Sequence, residues 1–308
     1  EVGKVFEIQE KKDLPIIPDN SLIIDAIFGS GLSRKITGIA AETINHIKKS
    51  NSTIVAVDIP SGIYCDTINA DEVKVQADQV ISFQFHKVAF LMKENESYIK
   101  SWATADIGLH QDGINEVEVN KYFTEVSEVK SWLKPRGKFS HKGTYGHLLV
   151  MAGSKGKIGA AQLTLKAALK SGAGLLTAYV PACAYEIVQI AVPEAMCLTD
   201  QNKEMLTEVP VISNYKTVAI GPGIGTSELT TNFLSSFLKQ LNNPAVFDAD
   251  ALNIFAKNLA LLKSVPKESI FTPHPKEFER LVGKCKDTLQ QWEKLIAFAR
   301  ENGIITIL

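Results

Sequence analysis

Three polar loops, each wedged between a short apolar run and a helical pattern, limit what this chain can fold into. Residues 218–225 read Val-Ala-Ile-Gly-Pro-Gly-Ile-Gly, and Thr226 and Ser227 open a helical stretch behind them. The stretches Asp248-Ala-Asp-Ala-Leu-Asn253 and Thr272-Pro-His-Pro-Lys-Glu277 follow the same plan. A parallel strand feeds a helix in this way, leaving the helix's first amides free for an anion. Glycine lets the backbone approach a ligand with no Cβ between them. A single Gly-Pro-Gly loop also makes an ordinary tight turn. Three such loops at the carboxyl ends of successive strands describe the mouth of an α/β sheet, where ligands bind.

The chain is long enough for two domains, with 308 residues, 45% of them hydrophobic and 22% charged. Thirty-three basic against 34 acidic side chains leave a net charge of −1, which gives no pull toward nucleic acid or an anionic membrane. No apolar run approaches the roughly 18 residues of a membrane-spanning helix, and no signal peptide is visible. Cys65, Cys183, Cys197 and Cys285 form no Cys-x-x-Cys pair and read as reduced thiols of a cytoplasmic protein. The six histidines show no metal-ligand spacing.

Along residues 1–112, Leu22–Phe28, Thr53–Ile59 and Val80–Phe85 read as strands, with Ile39–Lys49 as a helix between the first two. That order implies a parallel sheet covered on both faces. Residues 113–138 are polar and irregular and read as a linker. Beyond them, His147–Ala152 and Leu175–Val180 read as strands around a helix at Gly159–Lys170, which Gly172 and Gly174 stop. The second domain is 139–308. Residue 1 is glutamate, and Gly303–Leu308 is an apolar strand with no loop behind it. The expectation is a chain that lacks material at both ends, with both domains incomplete.

The first domain has its own chemical loops. Asp25 ends an apolar run and is costly there unless it is paired, hydrogen-bonded or bound to a cation, the lesser alternative being that it caps a nearby loop. Gly29 and Gly31 give a flexible turn, and Arg34 and Lys35 bring charge suited to phosphate. Asp58-Ile-Pro-Ser-Gly62 repeats the theme, although an Asx-Pro turn alone would account for it. Oxygen ligands such as Asp25 and Ser61 suit a hard cation rather than zinc. Lys87, after the third strand, is either a solvated lysine or a member of the same mouth.

These stretches carry a resemblance. Asp-Ala-Ile-Phe-Gly-Ser-Gly-Leu and Val-Asp-Ile-Pro-Ser-Gly are similar to the NAD(P)H-hydrate epimerase domain. Gly-Thr-Tyr-Gly-His…Gly-Ala-Ala, Gly-Pro-Gly-Ile-Gly, Asp-Ala-Asp-Ala-Leu-Asn and His-Pro-Lys-Glu resemble the ADP/ATP-dependent NAD(P)H-hydrate dehydratase. The two are fused in this order in bifunctional repair enzymes. The resemblance implies a Rossmann-like sheet followed by a ribokinase-like α/β domain. It also implies epimerisation of R and S hydrates of NADH or NADPH, and nucleotide-driven dehydration of the S form.

By the same resemblance, Asp25 and Ser61 match potassium ligands. Gly29, Ser30, Gly31, Leu32, Ser33, Arg34 and Lys35 match a loop around the substrate's phosphates. Asp58 matches a substrate contact and is the candidate for acid–base work at C6. Ala160, Gly223 and His274 match substrate contacts in the second domain. Lys276 stands where the family pattern has glycine, and Asp248 and Asp250 are candidates to order water or magnesium near the phosphates. ADP or ATP with Mg2+ would be the co-substrate, and the fold implies a homo-oligomer. The family's Asn-Gly-Gly-Asp loop, the later Lys-Gly loop that the strand at 303–308 would lead into, and the Gly-Thr-Gly-Asp turn do not occur in these 308 residues. The expectation is therefore a piece that is itself inactive and describes the work of a longer parent. The rival readings are a small-molecule kinase of ribokinase type and a non-catalytic nucleotide-binding protein.

Overall fold

The computed structural model describes residues 3–69 and 73–308. The chain divides into two compact units, one running up to Lys134 with Asp287–Leu289, the other Pro135–Lys286 with Gln290–Leu308.

The first unit carries four parallel strands in the order β1-β2-β3-β4: β1 Leu22–Asp25, β2 Thr53–Val57, β3 Gln79–Phe83 and β4 Trp102–Ala105. Helix α1, Gly38–Ile47, lies between β1 and β2 in sequence and buries Ile44 and Ile47 in a cluster with Ile36, Ile54 and Val75. Ala56, Val80, Phe90 and Ile99 extend the core on that same face. The strands alternate in burial, as they must when only one face is packed. The other face stays open: Leu22 is 64% exposed, Ile24 57% and Phe83 39%. The expected covering of both faces is therefore corrected for the described residues, because the packed elements all lie on one side.

The strands also end earlier than their apolar runs suggest. β1 stops at Asp25 because the Phe28 amide donates to Ser61 Oγ rather than to a ladder partner. Asp58 (φ 67°) and Gln84 (φ 58°) take left-handed backbone directly after β2 and β3, which ends both. β4 went unread because Trp-Ala-Thr-Ala lacks a long apolar run. Helix α2, Gln111–Asn115, runs into the segment read as an irregular linker, and α3, Val126–Trp132, lies within it.

The second unit has seven parallel strands: β5 His147–Met151, β6 Leu175–Val180, β7 Met196–Thr199, β8 Thr217–Ile220, β9 Val246–Phe247, β10 Ile270–Phe271 and β11 Ile305–Thr306. Their order is β11-β10-β9-β8-β5-β6-β7. The helices are α4 Ile158–Lys170, α5 Tyr185–Ala191, α6 Glu228–Gln240, α7 Asp250–Lys257, α8 Pro275–Val282 and α9 Thr288–Asn302. Both faces of this sheet are packed. Leu149 and Met151 join one cluster with Phe233, Phe237, Phe247 and Phe255, while Val150 joins Ala161, Leu165 and Val188 in another. Helix α6 shows how the sequence arranges this. Ser227 caps it, accepting the Thr230 amide at 3.2 Å, and Phe233, Leu234, Phe237 and Leu238 share the buried face.

Candidate functional site

Each unit gathers its polar loops at the carboxyl ends of its own strands. In the first, Asp25 is buried at the end of β1. Its Oδ1 accepts the Ser61 hydroxyl at 2.6 Å and its Oδ2 accepts the Ser61 amide at 2.8 Å. Ser61 Oγ in turn accepts the Phe28 amide at 2.9 Å, and the Phe28 carbonyl lies 3.4 Å away. The two residues read as cation ligands are therefore neighbours, in a donor set made only of oxygen. Gly62 (φ 101°) lets the chain turn under them, since a Cβ there would sit 2.1 Å from the Val73 carbonyl oxygen.

Asp58 lies one strand over. Its Oδ1 meets Lys87 Nζ at 3.0 Å and the Phe83 amide at 3.2 Å, and its Oδ2 meets the Ser30 amide at 3.3 Å. Both side chains of the ion pair are largely buried. Desolvation raises the Asp58 pKa. The Lys87 hydrogen bond, the Phe83 amide, the Lys87 charge and Ser30 together outweigh it, so the carboxyl titrates below its usual range. The structure thus joins Lys87 and Ser30 to Asp58, and a Cβ at Gly29 would lie 3.6 Å from Asp58 Oδ2. Gly31, Ser33, Arg34 and Lys35 continue along the surface, with Leu32 half-buried.

In the second unit, β10, β9 and β8 are adjacent, so the three polar loops lie side by side. Gly221 (φ 133°) passes so close to the next loop that a Cβ would lie 1.8 Å from the Asp248 carbonyl oxygen. Gly223 (φ 69°) rests on the start of α4, where a Cβ would lie 3.0 Å from the Cβ of Ala160. Asp248 Oδ1 accepts the Thr272 hydroxyl at 2.9 Å. Asp250 Oδ2 accepts the Gly225 amide at 2.9 Å and Lys157 Nζ at 3.2 Å. Both aspartates therefore tie loops together. Among the described residues, no cluster of three or more His, Cys, Asp or Glu side chains is placed to hold a metal ion.

His274 caps α8. Its Nδ1 accepts the Lys276 and Glu277 amides at 3.1 and 3.4 Å, and its exposed Nε2 lies 3.5 Å from Glu277 Oε1. Glu277 closes the capping box on the His274 amide, and Pro275 occupies the first helical position. Lys276 is in the first turn of α8, where an ordinary L-residue fits as well as glycine.

Sequence reasoning passed over the loop Gly153-Ser-Lys-Gly-Lys157 after β5. Ser154 Oγ donates to the Gly223 carbonyl at 2.7 Å, and the Gly153 amide donates to the Pro222 carbonyl at 2.8 Å. The available signal was a basic loop flanked by glycines between a strand and a helix.

Residues 148–307 match the family described as NAD(P)H-hydrate dehydratase. The chain belongs to that NAD(P)H-hydrate dehydratase family. Residues 2–89 match a second family, described as the YjeF-related protein N-terminus. The dehydratase family member described here is 34% identical over 303 residues to the bifunctional NAD(P)H-hydrate repair enzyme Nnr of Moorella thermoacetica, covering 93% of this chain and 56% of the relative. It is 32% identical over 293 residues to the enzyme of that name from Coxiella burnetii, covering 92% of this chain and 58% of the relative. The chain thus spans a little over half the length of these curated relatives. Among solved structures, a ribokinase-like superfamily protein from Enterococcus faecalis superposes with a TM-score of 0.51 at 22% identity, over 62% of this chain and 68% of that one. This dehydratase family member therefore has the ribokinase-like α/β fold that the sequence implied.

Proposed function

We propose that this chain serves the repair of hydrated NADH and NADPH. In this reading the first unit takes part in exchanging the R and S hydrates, and the second holds the S hydrate for dehydration driven by ADP or ATP. The observation that carries it is the packing of Gly223 directly on Ala160, two residues of the resemblance 63 positions apart in sequence that the fold makes neighbours. A Cβ at Gly223 would meet Ala160 and the Lys157 carbonyl, so glycine there is what seats the loop on α4 and brings the two positions together.

In the first unit, Asp58 is the proton acceptor. Lys87 keeps it ionised, so it can take the proton of the C6 hydroxyl and hand it to N1 as the C6–N1 bond breaks, leaving an open-chain aldehyde. Reclosure of N1 on the other face of the aldehyde inverts C6, with Asp58 carrying the N1 proton back to the oxygen. The loop from Gly29 to Lys35 holds the substrate's phosphates. Asp25 and Ser61 would hold K+, since their oxygens adjoin each other and the Phe28 carbonyl. In the second unit, Ala160, Gly223 and His274 orient the hydrate. ADP or ATP would supply a phosphoryl group that turns the hydroxyl into a leaving group. Mg2+ would travel on the nucleotide's phosphates, its usual mode. The reading includes a cytoplasmic setting and a homo-oligomer. No described helix is long and apolar enough to cross a membrane.

The test supplies the full gene product with separated R and S hydrates, with and without ADP, Mg2+ and K+, resolved by chromatography. The expected result is exchange of R and S that Asp58→Asn abolishes, and return to NAD(P)H that needs ADP or ATP and is lost in Gly223→Val. Turnover of hydroxymethylpyrimidine with neither hydrate consumed would replace this reading with a small-molecule kinase.

A further inference from the structure

A cleft of about 500 Å3 opens beside the glycine loop of the second unit, lined by Thr226, Asp250, Asn253, Ala256, Lys257 and Arg280. Two cations point their heads into it from packed helices, Lys257 from α7 and Arg280 from α8. Lys257 Nζ bonds the Thr226 hydroxyl at 3.1 Å, and Arg280 Nη1 bonds Asn253 Oδ1 at 2.6 Å. Both acceptors are neutral. The acid on the wall, Asp250, is already engaged by Lys157, the Gly225 amide and, at 3.4 Å, Asn253 Nδ2. Lys155 nearby likewise has its acid, Glu204. Lys257 and Arg280 have none among the described residues, so the cleft carries uncompensated positive charge.

Each cation stands in the last turn of its helix, where the helix dipole favours positive charge. The dipole does not explain why both reach across to another element, 31 and 27 residues away in sequence, and meet in one cleft. A guanidinium fork, an ammonium, a hydroxyl and an amide form a donor set for a phosphoryl anion. Thr226 directly follows Gly225, so the cleft adjoins the loop assigned to the dinucleotide.

We propose that Lys257 and Arg280, with Thr226 and Asn253, form a phosphate-binding subsite that takes a phosphoryl group of the dinucleotide hydrate. This rests on the reading of Gly223 as a substrate contact. The phosphoryl group comes from the ribose 2′-phosphate, present only in the NADPH hydrate, or from the pyrophosphate bridge, present in both.

The test is calorimetric titration of the full gene product and its Lys257→Met, Arg280→Met and Gly223→Val variants with NADPH hydrate, NADH hydrate and inorganic pyrophosphate, at two salt concentrations. Lys257 and Arg280 are exposed at helix ends, so both variants keep the fold. A tenfold or greater loss of affinity for NADPH hydrate alone, with a shallower salt dependence, assigns the 2′-phosphate. Equal losses for both hydrates assign the bridge. Unchanged affinity for both hydrates in Lys257→Met and Arg280→Met, with binding still lost in Gly223→Val, overturns the subsite and leaves the substrate reading standing. Should the unmodified protein bind neither hydrate, the substrate reading fails, and the pyrophosphate arm decides the cleft alone. Weak, salt-sensitive binding that both methionine variants lose keeps it an anion site, and its absence overturns that too.

Discussion

The two sheets of this chain are both parallel, yet they solve burial differently. The second is packed on each face, with a phenylalanine-rich cluster around Phe247 on one side and a small-residue cluster around Ala161 on the other. The first is packed on one face only, and Leu22, Ile24 and Phe83 meet solvent on the other. A parallel sheet ordinarily hides both faces. The difference shows that strand pairing and a carboxyl-end mouth can be assembled from one packed face, while the stability behind the mouth is unequal in the two units.

The largest test of that inequality is truncation of matched aromatics. Phe247→Ala should cost the second unit about 3–5 kcal/mol, because the ring is fully buried against Phe237, Phe255 and Phe271. Phe83→Ala should cost the first unit about 1–2 kcal/mol, because 39% of the residue is already exposed. Urea unfolding with hydrogen exchange read unit by unit separates the two. A large loss from Phe83→Ala would show that its face is covered in solution.

The mouths differ in the same sense. Gly221→Ala should cost about 1–3 kcal/mol, since its φ and the Asp248 carbonyl both exclude a side chain. Gly29→Ala should stay within about 0.5 kcal/mol, its nearest neighbour being Asp58 Oδ2 at 3.6 Å. Thermal melts of the two variants check this.

The ion pairs reverse the ranking. Lys87→Met strands a largely buried Asp58 and should cost about 1–3 kcal/mol, whereas Lys157→Met removes a half-exposed partner and should cost less than about 1. Asp58 has its pKa lowered on folding, so its contribution is complete above the unfolded value of about 3.9 and fades as pH falls through the folded value. Stability of the first unit followed from pH 5 to pH 2 should show an acid-side loss that Asp58→Asn lacks.

The smallest effect is on thiol reactivity. Burial pushes Cys197 up to about 11, and desolvation, followed by the charge of Asp66, raises Cys65. Exposed Cys183 should be alkylated first at pH 8, with Cys197 slower by on the order of a hundredfold. Mass spectrometry of timed samples orders the sites, and equal rates at Cys183 and Cys197 would contradict the burial.

Much of the site could be read from the chain because its residues are grouped in sequence. Asp25 through Lys35, Asp58 through Gly62 and the three loops of the second unit each follow a strand, and a parallel sheet brings strand ends together. In sequence Lys87 reads either way and Lys157 carries no signal. A flexible cation shows no periodicity, and its role depends on which carboxylate lies within reach. Asp250 reads as a magnesium candidate in sequence and acts as a loop tie in the fold, because Gly225 and Lys157 reach it from 25 and 93 residues away.

By itself the sequence determined the α/β class, the succession of two units and the polar loops at the strands' carboxyl ends, since these follow from apolar periodicity and glycine placement over short spans. Tertiary structure alone decided where β1 and β2 stop, which face of the first sheet is packed, and which carboxylates are paired. Those outcomes turn on hydrogen bonds and close contacts between residues tens of positions apart, such as Ser61 with Asp25 and Gly221 with Asp248, and local pattern carries no record of them.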